Sequence, residues 1–238
     1  MESKTIVHQF EFWCLLGKVG TYIRLFDGYT VLQPQKGNWP FKIFNLQNVD
    51  IEKLKKDIIQ HKLPRAIAIE SNHELNTKLE EHGFIKSSVV EAMSLNISSH
   101  MSFKPSANIT KVTDEIGLHH FTTIASKAFG YTIDKSSLSN VLQNNSVQLF
   151  IGKHKDQYAS CGILFLDSKG NSGLHMIGVN HKYRGLGFGK EMTEHLLYNA
   201  CINNSKTVHL VASKYGAPIY KKYGFTNNGY LNSYKGLF

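Results

Sequence analysis

The sequence predicts an α/β (α+β) protein in which strands and helices alternate along the chain. From about residue 109 onward, segments with strand-like patterns and segments with helical apolar spacing follow one another. A glycine-rich turn at 184–189 joins one strand to one helix within that series. Of the 238 residues, 42% are hydrophobic and 19% are charged, a composition typical of a globular protein that can bury a core.

The first hundred residues contain both kinds of pattern. Apolar residues at helical spacing predict helices over 51–61 and 72–82, with Ser71 or Asn72 as the cap of the second. Apolar and β-branched runs predict strands over 10–16, 22–32, 65–70 and from Phe84 to about Ile97. A polar joint containing Pro105 follows over 98–107, so we predict an accessory α/β domain over 1–100 and a second domain over 107–238.

The second domain is predicted in more detail. Asp114 and Asp134 are placed to cap helices, and Gly224 is placed to end one. The predicted strands cover 109–112, 147–153, 157–166, 174–179 and 208–212, and the predicted helices cover 115–128, 135–144, 188–202 and 217–223.

Charge and cysteine content limit the classes of partner. The formal net charge of +9 fits nucleic acid, an anionic membrane, a polyanionic small ligand or a solvated basic surface. No block of five basic residues occurs, which disfavours nucleic acid. Cys14, Cys161 and Cys201 lack metal-ligand spacing, so we expect no metal site and a cytoplasmic location. The N-terminal region has no long apolar run, so we expect no signal peptide and no membrane span.

The turn at 184–189 has the composition of an anion site. Glycines there let the backbone approach a ligand, and the first N–H groups of the following helix point outward with the positive end of the helix dipole. Gly185, Gly187 and Gly189 do not form Gly-x-Gly-x-x-Gly, and no Gly-Lys-Ser/Thr occurs, so a dinucleotide fold and a P-loop are disfavoured. Arg184 and Lys190 add positive charge, which suits a pyrophosphate.

Two blocks of the C-terminal half resemble the GCN5-related N-acetyltransferase (GNAT) family. Arg184-Gly-Leu-Gly-Phe-Gly189 fits the family's Arg/Gln-x-x-Gly-x-Gly/Ala loop, and Tyr220-Lys-Lys-Tyr-Gly224-Phe225 fits its Tyr-x-x-x-Gly-Phe segment. The resemblance covers about residues 107–238. It implies a central mixed sheet flanked by helices and splayed between its fourth and fifth strands, here 174–179 and 208–212.

The resemblance also implies acetyl-CoA as co-substrate, bound in the splayed region. Backbone groups of the fourth strand would pair with the pantetheine arm, and the loop would hold the pyrophosphate. Lys182, Lys190 and Lys214 are candidates for the adenosine 3′-phosphate or are simply solvated. The implied cofactor-binding residues are Ile177, Val179, Arg184, Gly185, Leu186, Gly187, Phe188, Gly189, Lys190 and Ser213, the last standing where many members have asparagine.

The catalytic groups implied are an acid and a base. Tyr220 matches the tyrosine that protonates the coenzyme A sulfur, and its alternative role is that of a core aromatic residue. Gly173 stands where some members carry a glutamate, so His175, two residues on and therefore on the same face of the strand, is the candidate base. A structural histidine, a base acting through water, or no base at all are the alternatives.

The predicted function is transfer of an acetyl group from acetyl-CoA to a primary amine by direct attack in a ternary complex. The acceptor would be a small-molecule or peptide amine, and the protein a monomer or homodimer. A non-catalytic acyl-CoA sensor and an aminoacyl-tRNA or nucleic-acid-linked transferase are the alternatives. Leu79-Glu-Glu-His-Gly83-Phe84 echoes the closing motif, so residues 1–100 are either a degenerate GNAT-like domain or an unrelated α/β domain.

Overall fold

The computed structural model describes residues 3–98 and 101–238, which form two compact units. Unit 1 comprises the residues up to Gln35, Pro40–Met93 and Val211–Phe238, and unit 2 comprises Lys36–Trp39 and Ser94–Leu210. Two positions of the predicted joint, Ser99 and His100, lie outside the described residues. The division of the chain at 1–100 and 107–238 remains a prediction. In the described part of the chain, no helix is long and apolar enough to cross a membrane.

Helices and strands alternate over most of the chain. In chain order they are α1 (Lys4–Val19), β1 (Ile23–Phe26), β2 (Tyr29–Leu32), β3 (Lys42–Phe44), α2 (Ile51–Ile59), β4 (Ala66–Glu70), α3 (His73–Glu81), β5 (Phe84–Asn96), β6 (Ile109–Lys111), α4 (Glu115–Phe129), β7 (Val147–His154), β8 (Gln157–Leu166), β9 (Ser172–Val179), α5 (Phe188–Ile202), β10 (Thr207–Ala212), α6 (Ala217–Lys222) and β11 (Thr226–Gly236).

Unit 1 is built on strands in the order β1-β2-β3-β4-β11-β5. Strands β1, β2 and β3 form an antiparallel meander, whereas β3 and β4 are parallel and are connected through α2. Strand β11 runs antiparallel to β4, with Leu231 opposite Glu70. The buried apolar residues of α2, α3 and these strands form one cluster that includes Ile43, Ile58, Ile67 and Tyr234. Burial of such side chains is the main source of stability for the unit.

Unit 2 carries strands in the order β10-β9-β8-β7-β6, with helices on both faces. Strands β6 to β9 are antiparallel, and β9 and β10 are parallel and connected through α5. A Cβ on Gly162 would lie 2.9 Å from Leu196 of α5, whereas a Cβ on Gly178 would lie 2.9 Å from Ala128 of α4 and 3.1 Å from Cys161. Gly162 thus faces α5, whereas its neighbour Cys161 lies on the side of Gly178 and α4. Because consecutive residues of a strand face opposite ways, α4 and α5 cover opposite faces of the sheet.

The predicted fold class is confirmed, since mixed sheets flanked by helices form both units. The predicted helix over 188–202 and the predicted strand over 157–166 have the observed bounds. Asn72 and Asp114 cap α3 and α4 as predicted, each accepting a hydrogen bond from a backbone N–H of the first turn.

Three predicted elements were wrong. The strand over 10–16 is part of α1, in which Ile6, Phe10, Trp13 and Leu16 bury one helical face. The strand over 22–32 is the hairpin of β1 and β2, closed at Asp27-Gly28, where Gly28 has a φ of 83°. The helix over 135–144 is two short 3₁₀ segments, consistent with the low helix propensity of its serines and asparagines.

Candidate active site

The loop between β9 and α5 lies in unit 2 and is shaped by its glycines. Gly185 has a φ of 79° and Gly187 a φ of 89°, a region that residues with a Cβ rarely adopt. A Cβ built on either glycine would meet no atom within 4 Å, so open space lies against the backbone of both residues. The loop therefore offers its main chain to a ligand.

Helix α5 starts without a side-chain cap. Its N-cap residue is Gly187, and the helical hydrogen bonds begin with Glu191 N donating to Gly187 O over 3.0 Å. The N–H groups of Phe188, Gly189 and Lys190 precede that bond and point out of the helix end. Phe188 is buried with Tyr183 and Ala159, and this cluster holds the start of the helix in place. Outward N–H groups and the helix dipole together favour an anion here.

Arg184 makes a contact that the sequence did not predict. Its guanidinium Nη2 donates to the backbone oxygen of Ala128 over 2.8 Å. Ala128 lies in the last turn of α4, where the carbonyl groups carry the negative end of the helix dipole. Arg184 thus ties the loop to α4, whereas the side chains of Leu186 and Lys190 are exposed.

Two residues that the sequence reasoning did not single out support the loop. Asn180 accepts a hydrogen bond from Lys182 N through its side chain, which starts the short 3₁₀ segment His181–Tyr183. The Tyr183 hydroxyl donates to the side-chain oxygen of Gln157. Asn180 could have been found from its capping chemistry, because asparagine at the end of a strand and two residues before a turn amide is an Asx-turn signal.

One edge of β9 is left open beside β10. The parallel register pairs Ser172, Gly173 and Leu174 with Val208, His209 and Leu210, and it ends there. Met176 has a φ of 53°, and the register with β8 shifts at the same place, so β9 carries a bulge. The segment 175–179, which includes the predicted residues Ile177 and Val179, therefore extends past the parallel pairing with β10.

His175 lies at the start of this open segment. It is 6% exposed and is paired with Ile163 of β8, and its ring centroid is 6.3 Å from that of Phe165. The structure thus places the candidate base on the same short stretch of β9 as Ile177 and Val179. The loop and this stretch are both in unit 2.

Ser213 and Tyr220 belong to unit 1. Gly216 N donates to Ser213 Oγ over 3.2 Å, so this serine stabilises the turn that leads into α6. Tyr220 is 9% exposed, and its ring lies edge-on to Phe225 with centroids 5.9 Å apart. Burial raises the pKa of the Tyr220 hydroxyl to about 12. The hydroxyl is therefore fully protonated at neutral pH and suited to donate a proton.

A small surface cavity lies beside the loop in unit 2. Its volume is about 420 Å³, and it is lined by His154, Lys155, Asp156, Gln157, Lys182 and Tyr183. The Lys182 ammonium donates to Gln157 Oε1 over 3.3 Å. Two lysines and one aspartate therefore lie in this cavity beside the loop. Among the described residues, no group of three or more His, Cys, Asp or Glu side chains is arranged to hold a metal ion.

Comparison with known proteins agrees with this geometry. Residues 111–237 match the family model described as an acetyltransferase (GNAT) domain. None of the curated protein sequences compared with the chain matches it. A GCN5-related N-acetyltransferase from Kribbella flavida is 14% identical, with a TM-score of 0.67, and the match covers 94% of this chain and 96% of that one.

Two further solved structures show the same fold. A GCN5-related N-acetyltransferase from Sphaerobacter thermophilus is 14% identical, with a TM-score of 0.57, and the match covers 87% of this chain and 76% of that one. A GCN5-related N-acetyltransferase-like protein from Streptococcus suis 89/1591 is 15% identical, with a TM-score of 0.58, and the match covers 87% and 83%.

Proposed function

Since the chain belongs to the GNAT acetyltransferase family, we propose that it transfers an acetyl group from acetyl-CoA to a primary amine by direct attack in a ternary complex. The observation that supports this most strongly is the loop 184–189. Two glycines with positive φ and an uncapped helix start present backbone N–H groups to open space. That arrangement fits a pyrophosphate, which is an anionic group of the donor.

The other donor contacts follow from the open edge of β9. An extended pantetheine arm carries amide groups, and the backbone of Ile177 and Val179 would pair with them as a neighbouring strand does. Gly185, Leu186, Gly187, Phe188, Gly189 and Lys190 would hold the pyrophosphate, and Lys182 is our candidate for the 3′-phosphate. Arg184 would act chiefly by fixing the loop, because its guanidinium already contacts Ala128. Ser213 would support α6 rather than bind the donor.

Two side chains would move the protons of the reaction. The amine nitrogen forms a bond to the acetyl carbonyl carbon while the carbon–sulfur bond breaks. We assign the proton lost by the amine to His175, directly or through one water molecule, and the proton gained by the thiolate to Tyr220. A phenol with a pKa of about 12 is protonated at neutral pH, so Tyr220 would bring a proton to the developing thiolate and donate a hydrogen bond to it.

The N-terminal residues would form a degenerate GNAT-like domain. The order β3-α2-β4-α3-β5 is the same as β9-α5-β10-α6-β11, and in both the first two strands are parallel. Gly83 and Gly224 have φ of 84° and 90°, and each precedes a buried phenylalanine. Leu79 stands where the second series has Tyr220, so this half would lack the proton donor.

The test is an acceptor screen with acetyl-CoA, in which release of free thiol is followed. We expect turnover with at least one primary amine, and a loss of about 10²-fold or more in kcat for Tyr220→Phe. Tyr223→Phe, three residues on in the chain, is the matched control and should keep its activity. Acetyl-CoA binding without any turnover would support the sensor instead. Unchanged turnover in Tyr220→Phe would remove the assigned proton donor.

A further inference from the structure

Unit 1 contains a cavity at the carboxyl ends of its parallel strands β3 and β4. Its volume is about 430 Å³, within the range of small-ligand sites. Buried Phe10 and Ile69 belong to its lining together with the partly buried Leu46 and Leu75. The crevice beyond the carboxyl ends of neighbouring parallel strands is where α/β sheets commonly bind ligands. The position and the apolar wall both suit a small molecule.

The polar part of the lining carries one formal charge. Besides the apolar residues, the cavity is lined by Asn45, Gln47, Glu70, Ser71 and Asn72, so among the described residues of the lining the only ionisable side chain is a carboxylate. Glu70 Oε1 accepts a hydrogen bond from Ser3 N over 3.0 Å, a neutral donor that leaves the negative charge in place. The lining thus has the electrostatic sign that attracts a cation.

A buried hydroxyl adjoins the same carboxylate. Glu70 Oε1 and Ser3 Oγ are both near Gly229. A Cβ built on this glycine would lie 3.9 Å from the first oxygen and 4.0 Å from the second. Ser3 is 8% exposed, and its Oγ has no hydrogen-bond partner among the described residues. An unpaired buried hydroxyl is costly, and a donor on a ligand would relieve that cost. Two oxygen acceptors therefore lie together at this side of the unit.

Anions are disfavoured at this cavity. The helix that follows β3 is capped by Asp50, whose carboxylate accepts from Lys53 N over 3.0 Å. The helix that follows β4 is capped by Asn72, whose side-chain oxygen accepts from Leu75 N over 3.1 Å. Both helix starts have a first-turn N–H already bonded, and neither presents a glycine loop like that before α5. A phosphate would find no such cradle there, and the described part of the lining offers it no basic side chain.

We propose that this cavity is a second binding site, which takes a protonated small-molecule amine with a compact hydrocarbon body. The ammonium group would lie at the Glu70 carboxylate, and the hydrocarbon would pack on Phe10, Leu46 and Leu75. A single carboxylate suits a monovalent ammonium better than a divalent metal ion, which requires several oxygen ligands. The site goes beyond the proposed function, because its occupation needs neither acetyl-CoA nor any transfer reaction.

The test uses three probes of similar size on the whole chain without acetyl-CoA. Phenethylamine is a cation at pH 7, 2-phenylethanol is neutral and phenylacetate is an anion, and their affinities would be measured by calorimetry or ligand-observed NMR. We expect phenethylamine to bind at least about tenfold more tightly than 2-phenylethanol, as for a hydrogen bond between charged groups. Phenylacetate should bind most weakly. Equal affinities, or no binding of the amine at millimolar concentration, would overturn the proposal.

A variant then locates the site. Glu70→Gln removes the charge but keeps an oxygen that can accept from Ser3 N, and we expect it to lose about tenfold in affinity for phenethylamine. Glu81→Gln, an exposed change on α3 outside the cavity lining, is the control and should bind as the unaltered protein does. Equal loss in both variants would contradict the assignment to Glu70. Because no acyl donor is present, failure here is distinguishable from failure of the proposed transfer reaction.

Discussion

Replacing Gly187 by alanine separates the conformational role of the loop from its role in binding. The φ of 89° at Gly187 costs an alanine about 1–2 kcal/mol, and no steric clash adds to this because a Cβ there meets no atom within 4 Å. Gly170, in the turn between β8 and β9, has a φ of 79° and the same open surroundings. Both substitutions should therefore lower the free energy of unfolding by about 1 kcal/mol.

Only the change in the loop should affect the donor. A methyl group on Gly187 would fill part of the open space beside the loop, so we expect acetyl-CoA affinity to fall about tenfold or more. Gly170→Ala should leave this affinity unchanged. Calorimetric titration with acetyl-CoA and urea unfolding would measure the two quantities on the same samples. A Gly187→Ala variant that binds acetyl-CoA within twofold of the original protein would refute the assignment of the loop.

Two other predictions concern unit 2. Arg184→Met should lower both acetyl-CoA affinity and the free energy of unfolding, because it removes the 2.8 Å hydrogen bond to Ala128 O that holds the loop. A loss in only one of these two quantities would argue against a tethering role. The Nδ1 atom of His195 accepts a hydrogen bond from Ser106 N, and burial lowers the pKa of this imidazole in the folded protein. As pH falls, the histidine of the unfolded chain is therefore protonated first. We expect the free energy of unfolding to decrease as pH drops below about 6.5. His195→Asn should flatten the dependence of the unfolding free energy on pH between 7 and 5, and an unchanged slope in urea titrations would contradict this.

Elements whose signals are local could be predicted from the sequence. Helix α5 begins after a glycine loop and carries Met192, Leu196 and Leu197 on its buried side, so its bounds follow from capping and spacing. The turn Asp167–Gly170 likewise fixes the end of β8. Membership of the GNAT family, inferred from two short motifs, is confirmed by the match over 111–237, and the protein is an acetyltransferase of that family.

Two of the three wrong predictions concern segments that were predicted as single strands. Segment 10–16 is rich in aromatic and apolar residues, which favour strands, but the apolar face of α1 begins earlier, at Ile6, and only the longer window shows helical spacing. Segment 22–32 contains the Asp27-Gly28 dipeptide, a strong hairpin signal, which divides the predicted strand into β1 and β2. In the first segment the residues that decide the structure lie before the apolar run, and in the second they lie within it.

Features of the site that depend on distant residues could not be predicted. The contact of Arg184 with Ala128 joins positions 56 residues apart. The bulge at Met176 places a long side chain at positive φ, for which the sequence carries no local signal because glycine or asparagine is usual there. Strand β11 pairs with β4 from the other end of the chain. Each of these is decided by tertiary packing rather than by propensity.

The two helices that follow β3 and β9 differ in the residue that caps their first turn. Both come after a strand with a parallel neighbour, yet α5 starts at Gly187 without a side-chain cap, whereas α2 starts at Asp50 with its carboxylate on Lys53 N. A bare helix start favours an anion, and a carboxylate cap both uses a first-turn N–H group and opposes added negative charge. The identity of one capping residue therefore distinguishes the helix start that we propose for the pyrophosphate from one that disfavours an anion. Because a strand followed by a helix occurs in both units, the residues that join them determine the sign of charge that each helix start favours.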